Sequence, residues 1–306
     1  MIANRIAYGE TLVELAKENQ NIVVLDADAS KSTGTKIVLE EMPERFVQCG
    51  IAEQNMTGIA AGMAACGKIP FLATFAVFTC MRAVEQVRNT VCYSDLNVKI
   101  AGTHAGLETG GDGGTHQAIE DIAIMRAIPN MRVLVPSTPN CTRKLTRVAA
   151  ETYGPFYIRL GKDPTPEFYE KSEEFHLGGS RELVSGNDAA VFACGDMVSK
   201  AVEAAAILKE EGIHVRVIDC YSIKPIDEEA IIRAAEETGK IITVEDHNIY
   251  GGLGGAVAEV LCERAPARLR RIGMEDVFGR SGLAPDLYRI FGLTPENITA
   301  AVKSMM

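Results

Sequence analysis

Short apolar runs alternate with helix-period segments along almost the whole of this 306-residue chain, and that alternation limits the fold more than any other feature. Ile22-Val23-Val24-Leu25, Phe71-Leu72-Ala73 and segments 97–102, 132–135 and 156–159 show little of the period-two pattern of a half-exposed sheet. They read as strands buried on both faces. Between them lie segments of helical period. Ile2, Ile6, Leu12, Val13 and Ala16 precede the first strand, and helices are predicted over 53–66, 79–93, 118–127 and 139–151. Residues 161–180 break the rhythm with Gly161, Pro164, Pro166, several charges and Gly178-Gly179, as an interdomain linker would. Strands at 189–194, 215–218, 241–245 and 268–272 then alternate with helices at 197–211, 227–238 and 253–264. The expected fold class is α/β, with two doubly wound, mainly parallel sheets. The predicted division is a first domain over 1–162, a linker over 163–180 and a smaller second domain over 181–306.

Composition narrows the function. With 47% apolar and 24% charged residues the chain has the profile of a soluble globular protein. Its formal charge of −10 and the lack of a Lys/Arg cluster argue against nucleic-acid binding. Eight cysteines show no C-x-x-C pair and no zinc spacing, and Cys66, Cys194 and Cys262 read as small hydrophobes in apolar or helical stretches. The first residues carry no signal-like apolar core and no run approaches a membrane span, so a cytoplasmic location away from membranes is expected.

Four features bear on chemistry. Gly50-Ile51-Ala52-Glu53-Gln54 opens a helix rich in small residues, Gly58 and Gly62 among them. Glycine inside a helix costs roughly 1 kcal/mol against alanine, so two of them four apart predict a backbone packed closely on that face. Glu53 stands at the helix start, where it serves either the helix dipole or the edge of such an interface. Phe75-Ala76-Val77-Phe78 follows a strand, and its two aromatics three apart are either core or a flat surface for a planar ring. The loop 103–117 holds His104 and His116, two of the chain's five histidines, with Asp112 and five glycines. Ligands in open α/β sheets bind at the carboxyl ends of strands, and glycines let backbone approach them. By residue type His104, Asp112 and His116 suit a metal, but their spacing matches no standard metal motif. Finally, Asp28, Ser32 and Arg159 stand at strand ends with Arg5 upstream, and arginine grips phosphate oxygens with paired hydrogen bonds.

Together these segments resemble transketolase, over essentially the whole chain. Gly50-Ile51-Ala52-Glu53-Gln54 is similar to the family's Gly-Ile-x-Glu segment, whose glutamate contacts N1′ of the aminopyrimidine of thiamine diphosphate. Phe75 and Phe78 fall where the family stacks aromatics on that ring. His104, Asp112 and His116 match the family's His-x7-Asp-x3-His spacing, ending in Asp-Gly-x-Thr-His-Gln. Arg5, Asp28, Ser32 and Arg159 fall where transketolases contact the sugar phosphate. In the second unit, Leu208-Lys209-Glu210-Glu211-Gly212 and Ser222-Ile223-Lys224-Pro225-Ile226-Asp227 resemble the C-terminal domain.

The resemblance implies a pyrimidine-binding domain followed by a transketolase C-terminal domain. It also implies what is missing. The family's diphosphate-binding domain uses a Gly-Asp-Gly motif and a later Asn. Gly111-Asp112-Gly113 with Asn140 imitates this only superficially, because Leu107-Glu108-Thr109-Gly110 precedes it inside a loop where an apolar strand is required. The diphosphate half, with its Mg2+ or Ca2+, would therefore come from an N-terminal transketolase subunit, and no metal site is expected here. A heterotetramer of two such pairs is the expected assembly.

By resemblance, Glu53 favours the cofactor tautomer that takes the C2 proton, and Phe75 and Phe78 hold the pyrimidine. His104, Arg5, Ser32 and Arg159 bind the phosphate, Asp112 and Asp28 read sugar hydroxyls, and His116 assists proton transfer. The implied activity moves a two-carbon ketol unit from a ketose phosphate to an aldose phosphate. A deoxyxylulose-phosphate synthase keeps a similar loop ending but lacks a His at the position of His104. A 2-oxoacid dehydrogenase β subunit has the same glutamate on a separate chain but no use for the Arg/His set. A non-catalytic sugar-phosphate-binding partner need not retain Glu53. A dinucleotide-binding protein would lean on Gly251-Gly252-Leu253-Gly254-Gly255, which lacks the G-x-G-x-x-G spacing and follows His247-Asn248-Ile249-Tyr250, where no strand end is expected.

Overall fold

Alternate residues of the strand Ile69–Phe75 enter different cores: Phe71 and Ala73 join one buried cluster, Leu72 another. A strand buried on both faces needs cover on both, which explains its unbroken apolar run. The computed structural model describes residues 1–306 and contains two mainly parallel sheets, as the strand pattern predicts. The first is built from β1 (Ile22–Asp26), β2 (Phe46–Gln48), β3 (Ile69–Phe75), β4 (Lys99–Thr103), β5 (Arg132–Leu134) and β6 (Phe156–Arg159), all parallel. The second contains β7 (Arg181–Val184), β8 (Ala189–Ala193), β9 (Val215–Asp219), β11 (Lys240–Asn248) and β12 (Arg268–Met274), in the order β12-β11-β8-β9-β7.

In the first sheet the order is β10-β5-β6-β4-β3-β1-β2, where β10 is Ser222–Lys224. The chain leaves β1 for β2 on one side and returns to β3 on the other. The loops after β1 and β3 therefore splay apart at a point where the strand order reverses, which is where open α/β sheets bind ligands. β10 comes from the second half of the chain yet pairs antiparallel with β5, Ser222 with Leu134 and Lys224 with Val133. A three-residue strand carries too little pattern to be seen in sequence, and it ties the two halves into one body.

Local chemistry explains several boundaries. The helix Pro139–Glu151 begins where predicted, because the Thr138 hydroxyl accepts from the Cys141 N–H and Pro139 occupies the first turn. Cys141, Leu145 and Ala149 then bury one face at four-residue spacing. The predicted helix 79–93 is present but wound with wider π turns over Phe78–Arg82 and Gln86–Cys92, a geometry common at functional sites. β11 runs to Asn248, beyond its predicted end, so the glycine run 251–255 does lie between a strand and the helix Leu253–Arg264, contrary to expectation. That helix N-terminus is filled from within, since the Glu245 carboxylate accepts from the N–H groups of Leu253 (2.7 Å) and Gly254 (2.8 Å). No helix is long and apolar enough to cross a membrane.

Candidate active site

Every sequence-predicted site residue but one converges at the carboxyl edge of the first sheet. After β1 the chain turns at Asp28, in the left-handed region at φ 63°, and Asp26 organises the turn from below. The buried Asp26 carboxylate accepts from the Ala29 N–H (2.6 Å) and from the hydroxyls of Thr33 (2.7 Å) and Thr35 (2.8 Å). Gly34 packs against the first helix, Asn4–Glu18, so closely that a Cβ there would collide with the Arg5 carbonyl. This contact draws Arg5 beside Ser32. The Arg5 guanidinium donates to the carbonyls of Lys31 (3.3 Å), Ser32 (3.1 Å) and Lys162 (3.1 Å).

Glu53 opens the helix Glu53–Ala65 and is only 3% exposed. Its carboxylate accepts from Arg82 at 2.9 Å, and the same guanidinium lies 4.4 Å from the centroid of the Phe78 ring. No sequence motif marks Arg82; the π winding after Phe78 carries it into this position. A Cβ added at Gly58 or Gly62 on the same helix would meet nothing within 4 Å beyond the helix's own backbone, so the close backbone contact expected on that face is not made within this polypeptide.

Four rings cluster after β3 and β4. Phe75 stacks on His104 (4.1 Å between centroids, 10° between planes) and on Phe78 (5.8 Å, 7°), while His116 sets its edge to both phenylalanines. The Thr109 hydroxyl bonds the carbonyls of His104 (2.6 Å) and His116 (3.2 Å), closing the glycine-rich loop on itself. Burial, with Arg5 and Lys162 nearby, lowers the His104 pKa to about 3, so its imidazole is neutral at neutral pH. It hydrogen-bonds there without carrying charge.

One cleft is lined by Asp28, Ser32, Glu53, Phe75, Phe78, Arg82, Asp112 and His116. Arg5 and His104 border it through Ser32 and Phe75. Arg159 does not join them. It is 5% exposed and donates to the Asp121 carboxylate (2.8 Å) and to the carbonyls of Ala118 (3.3 Å) and Asp246 (2.7 Å), holding the second sheet against the first. Side chains alternate along β6, and Arg159 lies on the face that turns inward. Lys162, three residues on, lies closer to the cleft: its Nζ stands beside Gly110 of the glycine-rich loop, its charge acts on His104, and its carbonyl holds Arg5. Sequence reasoning passes over Lys162 because it falls in the irregular linker. No group of three or more His, Cys, Asp or Glu side chains converges to hold a metal.

A concave site at a topological switch point, offering a buried carboxylate, stacked rings and cations nearby, gives an α/β protein a place able to receive a flat ring and an anionic group. Two family patterns divide the chain. "Transketolase, pyrimidine binding domain" matches residues 1–167 and "Transketolase, C-terminal domain" matches residues 178–298. The chain belongs to the transketolase family. It is 49% identical to a putative transketolase C-terminal section of Methanocaldococcus jannaschii over 99% of this chain and 96% of that one. It is 42% identical to a subunit of the apulose-4-phosphate transketolase of Phocaeicola vulgatus, covering 97% of this chain and 96% of that one. Among solved structures it resembles a split-gene transketolase in an inactive β4 tetramer, with a TM-score of 0.91 and 48% identity over 99% of this chain and 97% of that one. This is a subunit of the split-transketolase type.

Proposed function

We propose that this chain transfers a two-carbon ketol unit from a ketose phosphate to an aldose phosphate, using thiamine diphosphate completed by an N-terminal partner subunit. The observation that carries this reading is the cleft lined by Glu53, Phe75, Phe78 and His116 and bordered through Ser32 by Arg5, whose guanidinium is held by the Lys162 carbonyl. The cleft suits the cofactor's pyrimidine. Glu53 is a buried carboxylate for a ring nitrogen, and Phe75 and Phe78 offer ring faces. Thiamine diphosphate, when bound, supplies the nucleophilic carbon for cleavage of the ketose.

This chain's residues do the rest. Glu53 holds a proton at the pyrimidine N1′. Neutral His104 and Ser32 donate hydrogen bonds to the phosphate while Arg5 and Lys162 neutralise it. Asp28 and Asp112 accept from sugar hydroxyls, and His116, at the rim beside Phe78, moves the proton to and from the sugar oxygen. A sulfonate offers the same three oxygens and fits the same cations. Arg159 leaves the phosphate set in this proposal because its donors are spent on Asp121, Ala118 and Asp246.

The diphosphate and its Mg2+ or Ca2+ belong to the partner, and the exposed Gly58/Gly62 face suits a closely packed backbone from another chain. Relatives named as a C-terminal section, as one subunit of a transketolase and as a split-gene product support a two-chain enzyme, and a pair of such heterodimers is the assembly we propose. The phosphate set favours this reading over a 2-oxoacid dehydrogenase β subunit.

The test is ketol transfer from xylulose 5-phosphate to ribose 5-phosphate with thiamine diphosphate and magnesium, comparing this chain alone with the chain co-expressed with its N-terminal partner. Activity is expected only in the pair. A well-formed pair that is silent with phosphorylated and sulfonated ketoses alike would overturn the proposal.

A further inference from the structure

Glu108 lies in the glycine-rich loop but points away from the cleft. It is 5% exposed, and one oxygen of its carboxylate accepts from the N–H groups of Lys162 (2.6 Å) and Asp163 (3.0 Å). The turn that presents Lys162 is thus held from beneath by a single buried acid. A second acid shares the space. A Cβ placed on Gly161 would lie 2.7 Å from a Glu108 oxygen and 2.5 Å from an Asp196 oxygen, so the two carboxyls flank the same glycine. Asp196 immediately precedes the helix Met197–Glu210 of the second sheet, and its other oxygen has no partner.

The charged and titratable groups facing this pair from the surrounding elements are few. Asp163 and Lys162 are on the turn itself, Arg159 is on β6, Asp246 is on β11, and Tyr288 comes from the helix Ala284–Ile290. Asp246 already accepts from the Leu107 N–H and the Tyr288 hydroxyl, and Arg159 is paired with Asp121, so no cation is left to neutralise both acids.

Resting on the transketolase reading of the cleft, we infer that Glu108 is a positioning residue for the phosphate end of the substrate. It holds the Lys162 turn in place by accepting its two N–H groups, and charge on Asp196, across Gly161 from it, opposes that arrangement. Burial raises the proton affinity of both groups, with Asp196 adding to the rise at Glu108 and Asp246 to that at Asp196, whose pKa reaches about 7. Below that pH both carboxyls hold their protons and Glu108 accepts its two N–H bonds undisturbed. Above it Asp196 ionises across Gly161 from Glu108, adding negative charge behind the phosphate cations. Sugar-phosphate affinity then falls with rising pH, although Lys162, Arg5 and the phosphate dianion do not change charge between pH 7 and 9.

The measurement is a 31P NMR titration of ribose 5-phosphate against the full-length chain between pH 7 and 9, for wild type, Glu108→Gln, Asp196→Asn and Glu108→Ala. Wild type is expected to weaken about fivefold or more across this range. Asp196→Asn removes the charge that appears in this range and is expected to stay within about twofold across it. Glu108→Gln keeps an acceptor for the turn and leaves Asp196 to ionise, so it is expected to bind within about twofold of wild type at pH 7 and to follow the wild-type profile. Glu108→Ala loses the acceptor and is expected to bind about tenfold more weakly even at pH 7. If Glu108→Ala does not fold, the two isosteric variants carry the test. A wild-type profile retained in Asp196→Asn, a flat profile in Glu108→Gln, or no measurable binding by wild type overturns the inference. Ketol transfer by the wild-type pair is measured alongside. A silent pair with this binding pattern intact sinks the transketolase reading alone, and an active pair whose pH profile ignores Asp196→Asn sinks the inference alone.

Discussion

The two sheets are built alike, yet their strand ends differ. At the carboxyl edge of the first sheet Asp28 and Asp112 are exposed, and Ser32, Phe75 and His116 are half-buried around an open cleft. At the corresponding edge of the second sheet Asp219, Glu245 and Asp246 are buried and paired. Asp219 accepts from the hydroxyls of Ser137 and Tyr169, Glu245 caps its own helix, and Asp246 receives the Leu107 N–H of the glycine-rich loop. The first unit and the linker thus cover the ends of the second sheet, whereas in the first sheet the second unit covers only the β5 and β6 ends, and those of β1 and β3 stay open. Carboxylates at the closed edge are spent on partners within the chain, while at the open edge Asp28 and Asp112 are exposed and Glu53 has one oxygen beyond its contact with Arg82. The second sheet has become the platform on which the glycine-rich loop rests.

This contrast breaks most sharply at Glu53, on the open edge. Glu53→Gln keeps the shape but loses the acid, and the pair should lose roughly 10²–10⁴-fold in turnover with its melting temperature unchanged. Near-normal turnover at saturating cofactor would remove Glu53 from the chemistry.

A paired substitution sharpens the comparison next. Arg159→Ala strands the buried Asp121 and should cost about 3–5 kcal/mol of stability, read from denaturant midpoints. Lys162→Ala should leave stability almost unchanged and raise KM for phosphorylated sugars about tenfold. The reverse result, a stable Arg159→Ala protein with a raised KM, would return Arg159 to the phosphate site.

The smallest effect belongs to the closed edge. Burial raises the Asp219 pKa to about 7, against the hydroxyl bonds of Ser137 and Tyr169 that lower it. The folded value lies above the unfolded one, so its contribution to stability is fully present below the unfolded pKa, near 4, and lost as pH rises through about 7. Wild type should therefore lose stability between pH 5 and 9, and Asp219→Asn should lose about 1–2 kcal/mol less over that range. Parallel pH–stability curves for the two proteins would show that Asp219 stays ionised throughout.

Much of the fold could be read from residue pattern because each buried strand carries its own apolar run and each long helix its own period. The helix Pro139–Glu151 was legible to the residue, since Thr138 and Pro139 mark its start within four positions. β10 was not, because three residues paired with a strand almost ninety positions earlier leave no local periodicity. The π winding over Phe78–Arg82 was equally silent, and with it the contact of Arg82 with Glu53 and Phe78.

At the site, sequence alone determined which residues are candidates: Glu53 ahead of a small-residue helix, the Phe75/Phe78 pair, and the His104, Asp112 and His116 spacing. Only the tertiary structure decided which of the nearby charges are free. Arg159 and Lys162 stand three positions apart at the end of one strand. One is consumed between Asp121 and the backbone of the second sheet, and the other is held beside Arg5 by a loop over 50 residues earlier in the chain. Residue type sets what a side chain can do. Whether it is left to do so depends on partners that sequence distance hides and that packing brings within three ångströms.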